Sequence, residues 1–293
     1  MEPDPQLAER LERHVRVLSH VIGERSLGEY QHIVKARDYV SSEFKSYGYE
    51  VAVQEYRTYG RAFQNLSAER PGRAPEIVLV GAHYDSVAGT PGADDNASGV
   101  AVLLELSRRF SQASPGLTLR FAAFATEEPP FFRTSDMGSA QYAKLCRKKG
   151  ENIKAMIALE MLGFYRDEKG SQTYPPLLNL FYPDAGNFIA VVGDFLSGPL
   201  VRRVGEGISS GSSMPVERAA LPRLIPGIDF SDHASFWKEG YPAVMVTDTA
   251  FYRNPNYHTA TDTYEKLDYP RMAELTDGLA SAVEALASSG VRS

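Results

Sequence analysis

Cysteine is almost absent: one residue, Cys146, in 293. That excludes an intrachain disulfide framework, a Cys-rich zinc ribbon and a CxxC redox site. There is no surplus of positive charge either, 31 Lys and Arg standing against 37 Asp and Glu for a net −6, so no nucleic-acid partner is expected. No apolar run approaches the roughly 18 residues that span a bilayer, and no membrane partner is expected. The opening MEPDPQLAERLERH lacks the basic-then-apolar order of an export signal. The chain as written is therefore expected to be cytoplasmic, or secreted if a leader has been trimmed. No HExxH occurs. Gly207-Ile208-Ser209-Ser210-Gly211 fits GxSxG formally, but a nucleophile elbow needs a strand before it and a helix after it. LVRRVGEG and SMPVER supply neither, so a flexible loop is expected here. The basic run Lys144 to Lys149 around Cys146 reads as a solvated helix end.

What is present is an alternation of helical and extended patterns. Residues 6 to about 21 and 27 to 47 carry helical spacing, with Ile33, Ala36, Tyr39, Val40 and Phe44 on one stripe. Tyr49–Arg57 and Asn65–Glu69 alternate as strands, PGRAPE at 71–76 turns, and EIVLVGA at 76–82 reads as a strand buried on both faces. Ser98–Phe110 is a helix. Residues 118–125, 156–161 (with Ala155 before), 177–182 and 243–248 are further strand candidates. This order predicts an α/β fold, a mixed, mostly parallel doubly wound sheet with helices on both faces. With no repeat or linker, one domain over 1–293 is expected, carrying inserted loops at about 129–139 and 183–230.

In such a sheet ligands gather at the carboxyl ends of strands, so the polar residues that follow the apolar runs are the ones to inspect. His83 and Asp85 follow the first buried strand, Glu127 and Glu128 the next, Glu160 ends a third, and AVMVTD leads to His258. Asp94 and Asp95 stand in PGADDNASG before a helix. Singly, each has an ordinary structural explanation, such as a helix-capping turn or a solvated acidic pair. Gathered at one edge, buried carboxylates repel one another and require a cation. Asp94, Glu128 and Glu160 bring three negative charges and two neutral imidazoles bring none, so two divalent ions leave the centre slightly positive and able to acidify a water. Imidazole and carboxylate without thiolate suit zinc best, with cobalt or manganese as substitutes. Asp94, in its Gly-flanked turn, is the expected bridge between two ions. Glu127, beside a ligand, is placed to take a proton from water and pass it to a leaving amine. Asp85 is placed to orient His83.

The segments GAHYDS (81–86), PGADDNASGVAVLLEL (91–106), FATEE (124–128), LEMLG (159–163), SDHASF (231–236) and YHTATDT (257–263) resemble the co-catalytic zinc aminopeptidases, metallopeptidase family twenty-eight, from about Asn65 onward. The resemblance implies a zinc-exopeptidase fold and an aminopeptidase acting on peptides with a free N-terminus, the first residue being apolar. It implies two zinc ions, one on His83 and Glu160, the other on Glu128 and His258, with Asp94 bridging and Glu127 as general base. Tyr257 would stabilise the oxyanion. Asp95, Asp232, His233 and Asp262 would be supporting groups around the ligands, and the Asp94–Asp95 peptide would be cis. Two departures stand out. Glu160 occupies a position more commonly Asp, and the loop PPFFRTSDMGS is bulkier than the family's short Gly-rich version, leaving Phe131, Phe132 and Arg133 to line the cleft or pack against 183–230. The rival functions on this scaffold are glutaminyl cyclase, with one zinc and a Trp beside the last His where this chain has Tyr257, and a catalytically silent binding domain, which would have lost ligands.

Overall fold

The computed structural model describes residues 5–288; the outermost residues of the expected 1–293 domain lie outside it. Its frame is one eight-stranded sheet, β1 (Val51–Thr58), β2 (Arg61–Arg70), β3 (Ala74–His83), β4 (Leu117–Phe124), β5 (Ile153–Glu160), β6 (Ile189–Gly193), β7 (Val216–Ala220) and β8 (Ala243–Thr247), in the order β1-β2-β4-β3-β5-β8-β6-β7. The four central strands β4, β3, β5 and β8 are parallel. The hairpin β1–β2 runs antiparallel at one edge, and β6 turns antiparallel to β8 while pairing in parallel with β7.

Alternation along the strands sorts the side chains into two cores. Val78, Val80, Leu119, Phe121, Ile157, Val244 and Val246 face α1 (Pro5–Arg16), α2 (Tyr30–Ser46), α3 (Gly99–Phe110), α5 (Gly198–Gly211) and α7 (Tyr269–Ser288). Leu79, Ala122, Phe124, Met156, Ala158 and Met245 face α4 (Gly138–Lys148) and α6 (His233–Lys238). The expected mixed, mostly parallel sheet covered on both faces is what forms. No helix among the described residues is long and apolar enough to cross a membrane.

Three expectations fail. Residues 183–230 are not an inserted loop, because they supply β6, α5 and β7. Short strands and a Gly/Ser-rich helix carry too few periodic apolar residues to show in a pattern reading. Residues 177–182 are not a strand but a loop with a 3-10 turn at Leu178–Leu180, where Leu177, Leu180 and Phe181 stand exposed. The GxSxG segment is neither elbow nor flexible loop, since it ends α5. Its glycines exist for packing: a Cβ on Gly207 would lie 2.4 Å from the Ala282 Cα, and one on Gly211 would meet Ser281. The two helices therefore approach closely enough that larger side chains would force them apart. Of the long loop 129–137, Phe131 packs edge-on to Tyr59 and Phe63, while Phe132 meets Phe230 and Arg133 pairs with Asp229 at 2.6 Å.

On α3, buried Glu105 gathers Arg10 and Arg108 at 2.9 Å and His14 at 3.3 Å. Burial alone would raise its pKa; the hydrogen bonds from His14, Arg108 and Arg10 win and bring it to about 2.

Gly207→Leu is expected to lower the thermal midpoint by several degrees, overpacking costing about 1–3 kcal/mol, whereas Ser209→Ala, on the exposed side of α5, leaves it unchanged. Because the folded pKa of Glu105 is depressed, its contribution is present above the unfolded carboxylate value of about 4.5 and fades as pH falls toward 2. Glu105→Gln should therefore cost about 2 kcal/mol at pH 7, less than the full shift because Arg10 and Arg108 reach solvent. Urea melts at pH 7 and pH 3 should show that gap narrowing.

Candidate metal centre

The carboxyl ends of β3, β4 and β5 deliver His83, Glu127–Glu128 and Glu160 to one spot, as the strand order requires. A turn at 93–98 adds the aspartates and the loop after β8 adds His258. Two groups of possible ligands result, His83 with Asp95 and Glu160, and Glu128 with His258 and Asp95; within each, one N or O atom per residue lies within 4.8 Å of the others. Asp95 is common to both. Its Oδ1 lies 3.4 Å from His83 Nε2 and its Oδ2 lies 3.1 Å from His258 Nε2. Glu160 Oε2 is 3.3 Å from His83 Nε2 and accepts a hydrogen bond from Ser231 at 2.7 Å. Glu128 Oε2 is 3.5 Å from His258. Glu127 joins His83 and Glu128 in a third group.

The structure therefore moves the shared position from Asp94 to Asp95. Asp94 turns away from the cluster, where its Oδ1 accepts the Gly163 N–H at 2.9 Å and its Oδ2 accepts from Asn254 at 2.7 Å. The cause is backbone geometry. Asp262 accepts the amides of Asp94 and Asp95 at 2.9 and 3.2 Å, which fixes the turn so that only the second carboxylate projects between the histidines. The cis peptide is displaced by one residue as well, lying at Asp95–Asn96 rather than Asp94–Asp95. Gly92, at φ +61°, lets the chain enter this turn, and a Cβ there would strike the Asp95 carbonyl at 2.3 Å.

The supporting groups fall into place unevenly. Asp85 lies 3.3 Å from His83 Nδ1 and accepts the backbone N–H of Glu127 and Glu128 at 3.0 and 3.1 Å, so one carboxylate aims a histidine and an acidic pair together. Asp232 is fully buried among His83, Ser139 and Glu160, and burial pushes it up to about 7. His233 belongs elsewhere. Its Nε2 faces the Ile228 carbonyl at 2.7 Å, its ring packs edge-on to Trp237, and burial holds it neutral by lowering its pKa to about 4. Tyr257 stacks on His258 with ring centroids 3.7 Å apart. Burial and then the carboxylates Asp95, Glu128 and Glu160 keep its hydroxyl protonated.

Without a cation the cluster is in electrostatic conflict. Burial, then repulsion from Asp95, lifts Glu128 to about 8 against the pull of His258. Burial also raises Glu127, with Glu128, Glu160 and Asp232 adding to it and His83 opposing. Burial would lower His258, yet hydrogen bonds to Asp95 and Glu128 lift it to about 10. Both ring nitrogens of His83, Asp95 Oδ1, Glu127 Oε1 and Glu128 Oε1 are buried without a hydrogen-bond partner. Unsatisfied imidazole and carboxylate donors, free of thiolate and grouped in threes, fit a zinc site.

Sequence reasoning did not find Arg25. Fully buried, it donates to the carbonyls of Tyr84, Leu18, Gly23, Pro91 and Gly92 over 2.6–3.1 Å. It thereby ties the carboxyl end of β3 and the aspartate turn together. Burial lowers its pKa to about 10 while Asp85, Asp262, Asp95 and Glu128 hold it up. Nothing in its local sequence, ERSLGE, marks it.

Residues 65–283 match the model of peptidase family M28. The chain belongs to that family. It is 42% identical over 280 residues to the uncharacterized Escherichia coli (strain K12) protein YfbL, covering 92% of this chain and 86% of that one. It is 32% identical over 227 residues to a probable leucine aminopeptidase of Trichophyton verrucosum (strain HKI 0517), covering 72% of this chain but spanning only 54% of the fungal protein. Among solved structures, the aminopeptidase from Aneurinibacillus sp. strain AM-1 superposes with a TM-score of 0.73 at 20% identity, covering 96% of this chain and 93% of its own. A glutaminyl cyclase from Fimbriiglobus ruber gives 0.72 at 20% identity, covering 97% and 98%. This chain is thus a peptidase by family, with the zinc-exopeptidase fold.

Asp95→Ala is expected to weaken zinc retention by more than the ~10–100-fold that altering an outer hydrogen-bond partner costs, whereas Asp94→Asn stays within that range. Zinc content after dialysis against a graded chelator distinguishes the two aspartates.

Proposed function

We propose that this chain is a zinc-dependent aminopeptidase that removes the N-terminal residue of peptides and uses two ions. The observation that carries it is the carboxylate of Asp95, with one oxygen turned to His83 and the other to His258, each histidine completed by its own glutamate. His83, Asp95 and Glu160 would hold one ion, and Asp95, Glu128 and His258 the other. Asp95, Glu128 and Glu160 bring three negative charges to four positive ones, the balance expected with Asp94 now carried by its neighbour. When bound, zinc supplies a Lewis acid that polarises the scissile carbonyl and lowers the pKa of water to about 7.

The chain's own residues do the rest. Glu127 Oε1 is buried and unpartnered beside this set, so it is free to take a proton from water and return it to the departing amine. Asp85 fixes where Glu127 points by gripping its amide. Tyr257, held protonated beside His258, is a donor toward the charge that develops on the carbonyl oxygen. An N-terminal rather than internal cut is supported by the aminopeptidases among the relatives and structural neighbours. Two complete ligand groups favour a two-ion peptidase over a one-zinc cyclase or a silent binding domain.

Glu127→Gln is expected to keep its zinc and lose about 10²–10⁴ in kcat. A panel of aminoacyl-4-nitroanilides should be hydrolysed, N-acetylated counterparts should not, and a chelator should abolish the rate until zinc is restored. Turnover by Glu127→Gln at the native rate, or cleavage of blocked substrates, would overturn this reading.

A further inference from the structure

Beside the metal centre an apolar pocket opens, walled by residues such as Tyr174, Leu178, Tyr182, Ile225 and Phe251 and reaching Tyr257. Strand register fixes its floor. Glu160 pairs with Thr247, Thr247 with Ala190 and Ala190 with Glu217, so these four form one row across β5, β8, β6 and β7, and all line the pocket. At about 4.8 Å per strand the Cα atoms at the two ends of the row stand about 14 Å apart. The charged residues lining the pocket are those two glutamates, with no lysine or arginine among them.

Glu160 is committed to His83 and Ser231. Glu217 has no committed partner: among the described residues no hydrogen bond or ion pair engages its carboxylate, and Arg218, whose charge does reach it, has its stem on the opposite face of the sheet against Gly205. Its charge is felt by Tyr174 and Tyr182. Those rings stack with centroids 5.8 Å apart, and their hydroxyls are turned to the carbonyls of Pro183 and Arg218. A free carboxylate beside two aromatic rings, at the end of an apolar channel, is a site for a cation on a hydrocarbon stem.

We infer that this pocket receives the side chain of the substrate's first residue and that Glu217 selects lysine or arginine there. The inference rests on the aminopeptidase reading and names its substrate class, replacing the apolar first residue expected by resemblance. An extended arginine side chain reaches about 7 Å from its Cα. With a hydrogen bond of about 3 Å and the glutamate's own length, it spans the row from the metal centre. Leucine stops far short of the half-buried carboxylate and gains nothing from it.

The test compares arginyl-, lysyl- and leucyl-4-nitroanilide on the zinc-loaded wild type and on Glu217→Gln, which is isosteric and sits on an edge strand. Wild type should favour the basic substrates, and the variant should lower the arginyl-to-leucyl ratio of kcat/KM by about 10–100-fold, chiefly through KM. A wild-type preference for leucine, or a ratio unmoved by the substitution, would overturn the inference. Calorimetric binding of the free amino acids L-arginine and L-leucine, which have no bond to cleave, to both proteins decides it without turnover. If no anilide is cleaved, the aminopeptidase reading fails, while Glu217-dependent arginine binding still stands or falls on the titration.

Discussion

Everything at the functional edge of this protein answers to the repulsion among Asp95, Glu127, Glu128 and Glu160, four buried carboxylates held within reach of two histidines. Such a cluster cannot rest on its own charges. The chain positions it through backbone amides rather than through counter-charges. Asp85 and Asp262, one step outside, take up backbone amides of the residues inside, and Asn96 fastens the aspartate turn to Leu159 and Met161. Arg25 spends its hydrogen bonds on carbonyls rather than on the acids. The framework therefore fixes the ligands without neutralising them, which is the condition under which a dication gains most from binding.

The same logic explains a second buried acidic pair. Asp94 and Asp248 face each other with a pKa raised on each side, burial being the first cause for both. Both oxygens of each also accept from elsewhere, those of Asp94 from Gly163 and Asn254 and those of Asp248 from Phe164 and Ala250. With both pKa values raised, one shared proton would leave the pair a single negative charge instead of two, and its hydrogen bonds link the aspartate turn to the loops after β5 and β8. Asp94 is thus indispensable to the shape of the site while standing outside the group of ligands.

How much of this was legible in the sequence depends on which link each feature lives on. The parallel core strands, the helix after the aspartates and the ligand-type residues at strand ends could all be read, because long apolar runs and chemically distinctive residues announce themselves. Asp94 against Asp95 could not be read, since adjacent residues of one type differ only in the direction their backbone gives them. Arg25 and the Asp94–Asp248 pair were invisible for a related reason: their partners are backbone carbonyls and amides, which every residue carries. His233 was over-read, as its motif sits near the cleft while its ring serves the packing of α6 on Trp237. The Gly/Ser run at 207–211 was misread because small residues that permit close helix packing look, in one dimension, like a loop.

The direction of β6 and β7 accounts for the last omission. A search for chemistry at the carboxyl ends of strands assumes that the strands point one way. β6 runs against β8, and β7 follows β6, so it is the amino ends of these two strands that lie level with Glu160 and Thr247. Glu217, the second residue of β7, reaches the functional edge from the side a carboxyl-end search never inspects. The loop that enters β6, carrying Tyr174 and Tyr182, walls the pocket for the same reason. The parallel half of the sheet thus gathers the ligands, the reversed half shapes the space beside them, and the antiparallel β8–β6 pairing joins the two into one cleft.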